Sequence, residues 1–341
     1  MRRAPVFALL LALAAVAFPE EPSFREVTER SEAAARRGLE WLCKGVNADG
    51  GWGADQGQPS EPGHTAVVGL TLMSHGSTPT KGPKAALVRR ALAYTIQAVD
   101  RLQGNSIAPG GSQIQNKIGR MGDNFFAALF LSQVVGESDD LRAERALRKL
   151  TDVTARTQQA GGGWGQEAWA PMLGNVMGWV SLRGATAAGV KVRASAERTA
   201  EHIVAQMRNM QIGGDRGNWM FDLYKSASGI RVLHSMKKGD DPIARKAFED
   251  VLRLVNQSDQ AFTQAGGEEY LSFHLLTETM IQRGGKDWAR WYPAVRDKLV
   301  AAQNADGTWT GHHCITSRTF CTGMAVSVLQ APNRFMPIAE Y

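Results

Sequence analysis

Two apolar patterns alternate along the chain. Segments such as residues 84–102 and 141–157 place apolar side chains at helical spacing on one side and charges on the other, as half-buried amphipathic helices do. Between them lie runs that are apolar nearly all round: residues 64–75 (HTAVVGLTLMSH), 124–135 (NFFAALFLSQVV), 172–182, 222–236, 269–282 and 319–332. A helix without a polar face has to be enclosed by neighbours. Period-two alternation is sustained nowhere, so no strand is expected. The pattern predicts six pairs, each a charged outer helix followed by an apolar inner one. The first outer helix spans 24–46, with Ser23 or Ser31 as its cap. The later pairs span 84–136, 141–189, 198–239, 242–285 and 288–332.

A recurring turn punctuates these pairs. Residues 38–53 read GLEWLCKGVNADGGWG, and echoes follow as QQAGGGWG at 158–165, QIGGDRGNW at 211–219 and QNADGTW at 303–309. Paired glycines supply backbone angles that stop a helix. The tryptophans Trp52, Trp164, Trp219 and Trp309 then fold under the turn as buried wedges. The fifth pair keeps Gly266 and Gly267 but lacks the tryptophan. Recurrence at roughly 45 to 56 residues marks a repeat architecture. Each inner helix needs cover from neighbouring pairs. The terminal inner helices, around Val67 and Val326, are as apolar as the middle ones, so a closed ring with a central cavity is preferred over an open solenoid. The expectation is an all-α, single-domain (α/α)6 toroid over residues 24–341. A Gly/Ser/Asn/Gln-rich loop at 103–122 interrupts the second pair, and loops of that length are often functional.

The first 17 residues change the picture of where the chain works. Arg2 and Arg3 precede an apolar run at 6–16 that is short for a bilayer span, and Ala15-Val16-Ala17 offers a cleavage site. This reads as a secretory signal, with a retained anchor as the lesser alternative, and places the mature protein in the periplasm or outside the cell. No later run is apolar and long enough to span a membrane. The net charge of +6 is spread without a dense basic block, which excludes a nucleic-acid partner. The cysteines Cys43, Cys314 and Cys321 allow at most one internal bridge. Cys43 sits inside an outer helix as a small core residue.

The turn LVAAQNADGTW at 299–309 resembles the QW-type repeat of squalene-hopene and oxidosqualene cyclases; in the first turn Val46 stands where the glutamine would be. Arg318-Thr319-Phe320-Cys321 and His64-Thr65-Ala66, each opening a small-residue helix, resemble inner helices of protein prenyltransferase β subunits. The resemblance spans the mature chain and implies an (α/α)6 toroid with an apolar cavity. The chemistry of these families does not carry over. The Asp-x-Asp-Asp acid of the cyclases and the Asp-x-Cys zinc motif of the prenyltransferases are both absent.

Candidate chemistry has to be sought elsewhere. Asp123, Asp222, Glu268 and Glu269 precede or begin inner helices, where an apolar cavity would raise their pKa and suit them to acid–base work; routine helix capping places acids there too. Only Glu268-Glu269 pairs two acids just ahead of an inner helix, and Glu269 facing Asp222 would suit carbohydrate cleavage. The stretch GHHCITSRTFC at 311–321 gathers His312, His313, Cys314, Arg318 and Cys321, and ring closure brings His64 toward it. His64, His313 and Cys314 are zinc-ligand types, although no paired spacing such as C-x-x-C supports a site. Zinc is the one cofactor in view. Cys314 and Cys321 would form a disulfide in an oxidising compartment. Phe125, Trp169 and Trp179 fall outside the wedge role and are placed in the cavity wall with His64, Arg231, His274 and Arg318. Arg231, a cation on a small, apolar helix, needs a partner, for which Glu278 and Asp222 are the candidates.

Intact repeats without the known motifs favour a binding protein that holds an apolar isoprenoid or lipid, or a protein segment, in the cavity. The alternatives are an enzyme acting there through Glu268, Glu269, Asp222 and the cluster around His313, whether cyclase-like or of a glycosidase or lyase type, and a protein-interaction scaffold.

Overall fold

Fourteen α-helices and no strand beyond isolated bridges make up the described residues, 25–165, 168–209 and 219–335, of the computed structural model. In chain order they begin with α1 (Glu29–Lys44), α2 (Pro62–Ser74), α3 (Ala85–Asp100), α4 (Gln113–Ile118) and α5 (Gly122–Val134). There follow α6 (Leu141–Thr157), α7 (Pro171–Ala187), α8 (Arg193–Asn209), α9 (Trp219–Ser235) and α10 (Pro242–Gln257). The last are α11 (Gln260–Thr263), α12 (Gly267–Arg283), α13 (Gly285–Ala301) and α14 (Arg318–Gln330). The signal segment 1–17 and most of the turn at 211–219 lie outside the described residues.

Burial separates inner from outer helices as the apolar pattern requires. Every residue of α2 is buried, whereas α1 buries Ala34, Ala35, Gly38, Leu39 and Leu42, one stripe at helical spacing. The inner helices α2, α5, α7, α9, α12 and α14 each touch the next, and α14 returns to α2. At that seam the Thr71 hydroxyl donates to the Gly323 carbonyl at 3.2 Å, and the Ser74 hydroxyl donates to Gln330 Oε1 at 2.8 Å. The ring is therefore closed: the chain is an α/α toroid. Each outer helix covers the inner helix of the preceding pair, α3 on α2, α6 on α5, α8 on α7, α10 on α9 and α13 on α12. Helix α1, the first of the described helices, lies on α14, so the first outer helix covers the last inner one.

Three tryptophan turns share one hydrogen-bond scheme. The indole N–H of Trp52 donates to the Leu42 carbonyl at 2.7 Å, that of Trp164 to Thr154 at 2.9 Å and that of Trp309 to Leu299 at 2.9 Å. Each acceptor sits in the last turn of an outer helix, where carbonyls lack helical partners. The tryptophan backbone N–H groups donate to Thr65, Asn175 and Thr322 on the following inner helices. Each tryptophan thus pins one helix end to the next helix start. Gln158 and Gln303 add a second tie: their amides donate to the turn carbonyls of Gly162 and Gly307, and also to Ser195 on α8 and Ala34 on α1.

Two expectations shift locally. The first helix begins at Glu29, not at 24, because Thr28 and Ser31 form a capping box; Thr28 is the cap, Ser31 lies inside the helix, and Ser23 is outside the described residues. The 103–122 loop is partly helical, with α4 burying Ile114 and Ile118. A Cβ added at Gly174 of α7 would stand 1.9 Å from the Ile118 carbonyl oxygen, a backbone atom that cannot turn aside. Gly174→Ala is expected to cost about 1–3 kcal/mol by overpacking, read as a lower urea midpoint; an unchanged midpoint would show that α4 is not docked there.

Candidate functional site

The middle and C-terminal turns of the inner helices surround a cavity to which all six contribute. Leu70, Leu129, Met177, Val180 and Met324 make its walls apolar, and Phe126, edge-on to Phe320 at 5.6 Å between ring centres, closes it below. The water-accessible space inside is about 60 Å³, room for a few waters.

Polar groups gather on one side of this cavity. Arg231 on α9 has a side chain only 2% exposed, and its Nη2 lies 3.5 Å from Glu278 Oε2 on α12. Such a buried cation requires a counter-charge in contact, which Glu278 provides. His274, one turn before Glu278, brings Nε2 to 3.4 Å from Glu278 Oε1. Burial pushes the His274 pKa below its ordinary value; Glu278 opposes the shift and Arg231 adds to it. The ring is therefore neutral near pH 7. Its exposed surface faces the enclosed cavity, so partial exposure and strong desolvation coexist. The result is a carboxylate flanked by a guanidinium and a neutral imidazole against an apolar chamber. This arrangement can take up a proton or stabilise positive charge.

The opposite ends of the inner helices carry a second cluster. Glu268 and Glu269 are fully buried at the start of α12. Glu268 Oε2 accepts from the Ile315 N–H at 3.2 Å, Oε1 has no hydrogen-bond partner, and burial raises its pKa to about 7. Glu269 accepts from the Tyr224 hydroxyl and from the Gly266 N–H, the latter at 2.6 Å, and lies 3.4 Å from His313 Nε2. Burial raises its pKa against those donors. Cys314 lies beside this pair, its thiol pushed up to about 11 by burial and then by Glu268. Neither glutamate lines the central cavity. They cap α12 and hold the 311–317 loop against it, as do hydrogen bonds from Gly267 to Ile315 and from His312 to Ala265.

Several sequence expectations are corrected by this geometry. Asp222 is exposed, and the group facing Glu269 is Tyr224. Asp123 is fully buried off the cavity, accepting from Ser112 and the Gly63 N–H; burial raises its pKa. His64 is buried beside Phe320, with Nδ1 2.8 Å from Glu61 Oε2 but not aligned for a hydrogen bond. Trp169 is 45% exposed against Phe221, and Trp179 lines a groove between α7 and α8. Phe125 packs on Trp164, and Arg318 pairs with Asp55 and Asp306 over Trp41. Of the residues placed in the cavity wall, Arg231 and His274 line it; His64, Phe125, Trp169, Trp179 and Arg318 do not. An inner helix apolar all round does not reveal in sequence which face points inward. Cys314 and Cys321 are free thiols, so the expected bridge is not made. Among the described residues no three His, Cys, Asp or Glu side chains converge to hold a metal ion.

The sequence reading missed Gln133 and Gln330, and it named Glu278 only as a partner for Arg231. A signal was present: Ser74, Gln133, Arg231, Glu278 and Gln330 are polar residues in the later turns of otherwise apolar helices, and all face the cavity.

No protein-family model and no curated protein matches the chain. Solved structures do. The type II terpene cyclase MstE from Scytonema, without ligand, matches at 16% identity and a TM-score of 0.55, covering 91% of this chain and 100% of that one. A variant of MstE bound to its substrate, geranylgeranyl dihydroxybenzoate, matches at 16% identity and a TM-score of 0.53, covering 90% and 98%. Another, bound to its product merosterolic acid A, matches at 15% identity and a TM-score of 0.52 over the same shares. The chain has the terpene cyclase fold.

Proposed function

We propose that this chain is an exported enzyme that holds an apolar, isoprenoid-type chain in the central cavity and moves a proton on it through Glu278 and His274. The carrying observation is that the apolar chamber presents one carboxylate among its described lining residues, flanked by Arg231 and His274. The shared fold with cyclases that bind a geranylgeranyl substrate supports the ligand class. The turn hydrogen bonds and the closed contacts support a six-pair toroid with QW-type turns, akin to squalene-hopene cyclases and prenyltransferase β subunits.

In this reading Glu278, charged with a proton through His274, delivers it to one carbon of a C=C bond, whose π pair forms the new C–H bond and leaves a cationic centre on the neighbouring carbon. Glu278 then takes a proton from a carbon beside that centre, the C–H electron pair becoming the new C=C bond, so that the acid is regenerated and its proton exchanges with water through His274. Arg231 positions the carboxylate. Asp123, Glu268 and Glu269 lie off the cavity wall and serve helix caps and the loop at 311–317.

The test is to incubate the mature protein with geranylgeraniol, squalene and lipid extract in D2O and follow products and deuterium uptake by mass spectrometry. Glu278→Gln is expected to lower turnover by at least about 100-fold while retaining ligand. Equal turnover by wild type and Glu278→Gln would sink the assignment. The small free volume favours a second reading, a binding protein for an apolar molecule or protein segment; stoichiometric capture of unchanged lipid by both proteins would establish it.

A further inference from the structure

The cavity mouth is closed by the chain itself. Beyond α14 the chain turns back over the ring axis, and Ala331, Arg334 and Phe335 become part of the lining. Arg334 has a left-handed backbone, φ 52°, a conformation most side chains avoid. Its guanidinium reaches both carboxylate oxygens of Glu26, at 3.0 and 3.2 Å, and the Pro332 carbonyl at 2.9 Å. Glu26 is positioned separately by the Trp288 indole N–H, at 2.7 Å. Phe335, 58% exposed, lies over Gly76, where an added Cβ would meet its ring at 3.1 Å.

The contacts of Arg334 and Phe335 are more exposed than those that join the cavity walls. The helices that form its walls are joined by buried apolar faces and by hydrogen bonds such as Ser74 to Gln330. Residues 331–333 touch α12 and α14, with Ala331 partly buried against the core, whereas Arg334 and Phe335 are held by one largely exposed ion pair and one exposed ring. A space of about 60 Å³ admits no isoprenoid chain, since small-molecule sites run to several hundred Å³. Enlarging it from the sides would break the ring, whereas swinging residues 331–335 aside breaks the Arg334–Glu26 pair, the Phe335 contact and the light packing of Ala331.

We propose that residues 331–335 form a gate over the central cavity, latched by Arg334 on Glu26 and wedged by Phe335 on Gly76, which an entering apolar chain must displace. The proposal rests on the reading that the cavity receives such a chain.

The test uses stopped-flow fluorescence with a dansyl-labelled geranylgeraniol and the full mature chain. Arg334→Gln and Phe335→Ala are each expected to raise the association rate, and the double variant to raise it about tenfold or more, with thermal midpoints unchanged. High salt is expected to speed entry into the wild type but not into Arg334→Gln, because the latch is an exposed ion pair. Equal association rates in all proteins, with no difference in salt response, would overturn the gate and leave the cavity reading standing. Failure of the probe to bind any of them, the double variant included, would overturn both.

Discussion

Trp309→Ala is expected to lower folding stability by about 3–5 kcal/mol, the range for removing a large, fully buried aromatic ring. Trp309 is completely buried at the ring seam, and its ring packs so close to Gly38 on α1 that a Cβ there would stand 2.9 Å from it. Its indole N–H supplies the donor for Leu299 at the end of α13, and its backbone N–H is received by Thr322 on α14. The substitution therefore removes apolar burial and loosens three helices where the ring closes. Trp309→Phe is expected to cost less, about 1–3 kcal/mol, mainly from the unsatisfied Leu299 carbonyl. Trp169→Ala, on an exposed ring, serves as the control and is expected to change little. Urea unfolding of the three variants gives the comparison. A loss below about 1 kcal/mol for Trp309→Ala would mean that the turn does not pin the seam.

The second large effect is a pH dependence of stability from Glu268. Burial lifts its folded pKa to about 7 from an ordinary 4.5, so the folded state holds a proton that the unfolded chain releases above pH 4.5. The associated stability is fully present below pH 4.5, declines as pH rises from there, and is lost above about 7. The difference in pKa corresponds to about 3 kcal/mol. Glu268→Gln keeps an uncharged side chain at every pH. It is expected to match the wild type at pH 4 and to exceed it at pH 8 by up to about 3 kcal/mol. Glu269, also raised by burial, adds in the same direction. Unfolding midpoints across pH 4–8 measure this; parallel curves for wild type and Glu268→Gln would show that Glu268 is solvated, and that the 311–317 loop is not held as described.

These effects separate what local sequence carries from what it does not. The wedges of Trp52, Trp164 and Trp309 were legible because a helix end, a glycine turn and a large ring all fall within one short stretch; Trp219, expected to do the same, instead opens α9 half-buried. The buried state of Asp123, Glu268 and Glu269 was half legible. Their position at helix starts allowed both a cap and an acid, and only packing showed that they face helices and loops instead of the cavity. His313 meets Glu269 of the fifth pair, a contact the sequence did not mark, whereas His64, expected near His313, lies beside Glu61 and Phe320.

By itself the sequence determined the all-α class, the alternation of charged outer and apolar inner helices, and the turns that join them. Helical periodicity and turn chemistry act over a few residues, within reach of a linear reading. Tertiary structure decided which face of each inner helix looks inward, that α1 lies on α14, and that Arg231, His274 and Glu278 meet at one cavity while Arg334 and Phe335 lie across its mouth. The physical reason is that a helix apolar on every side carries no inward mark of its own. Its orientation is set by the shapes of the neighbours that close the ring, and those neighbours are distant in the chain.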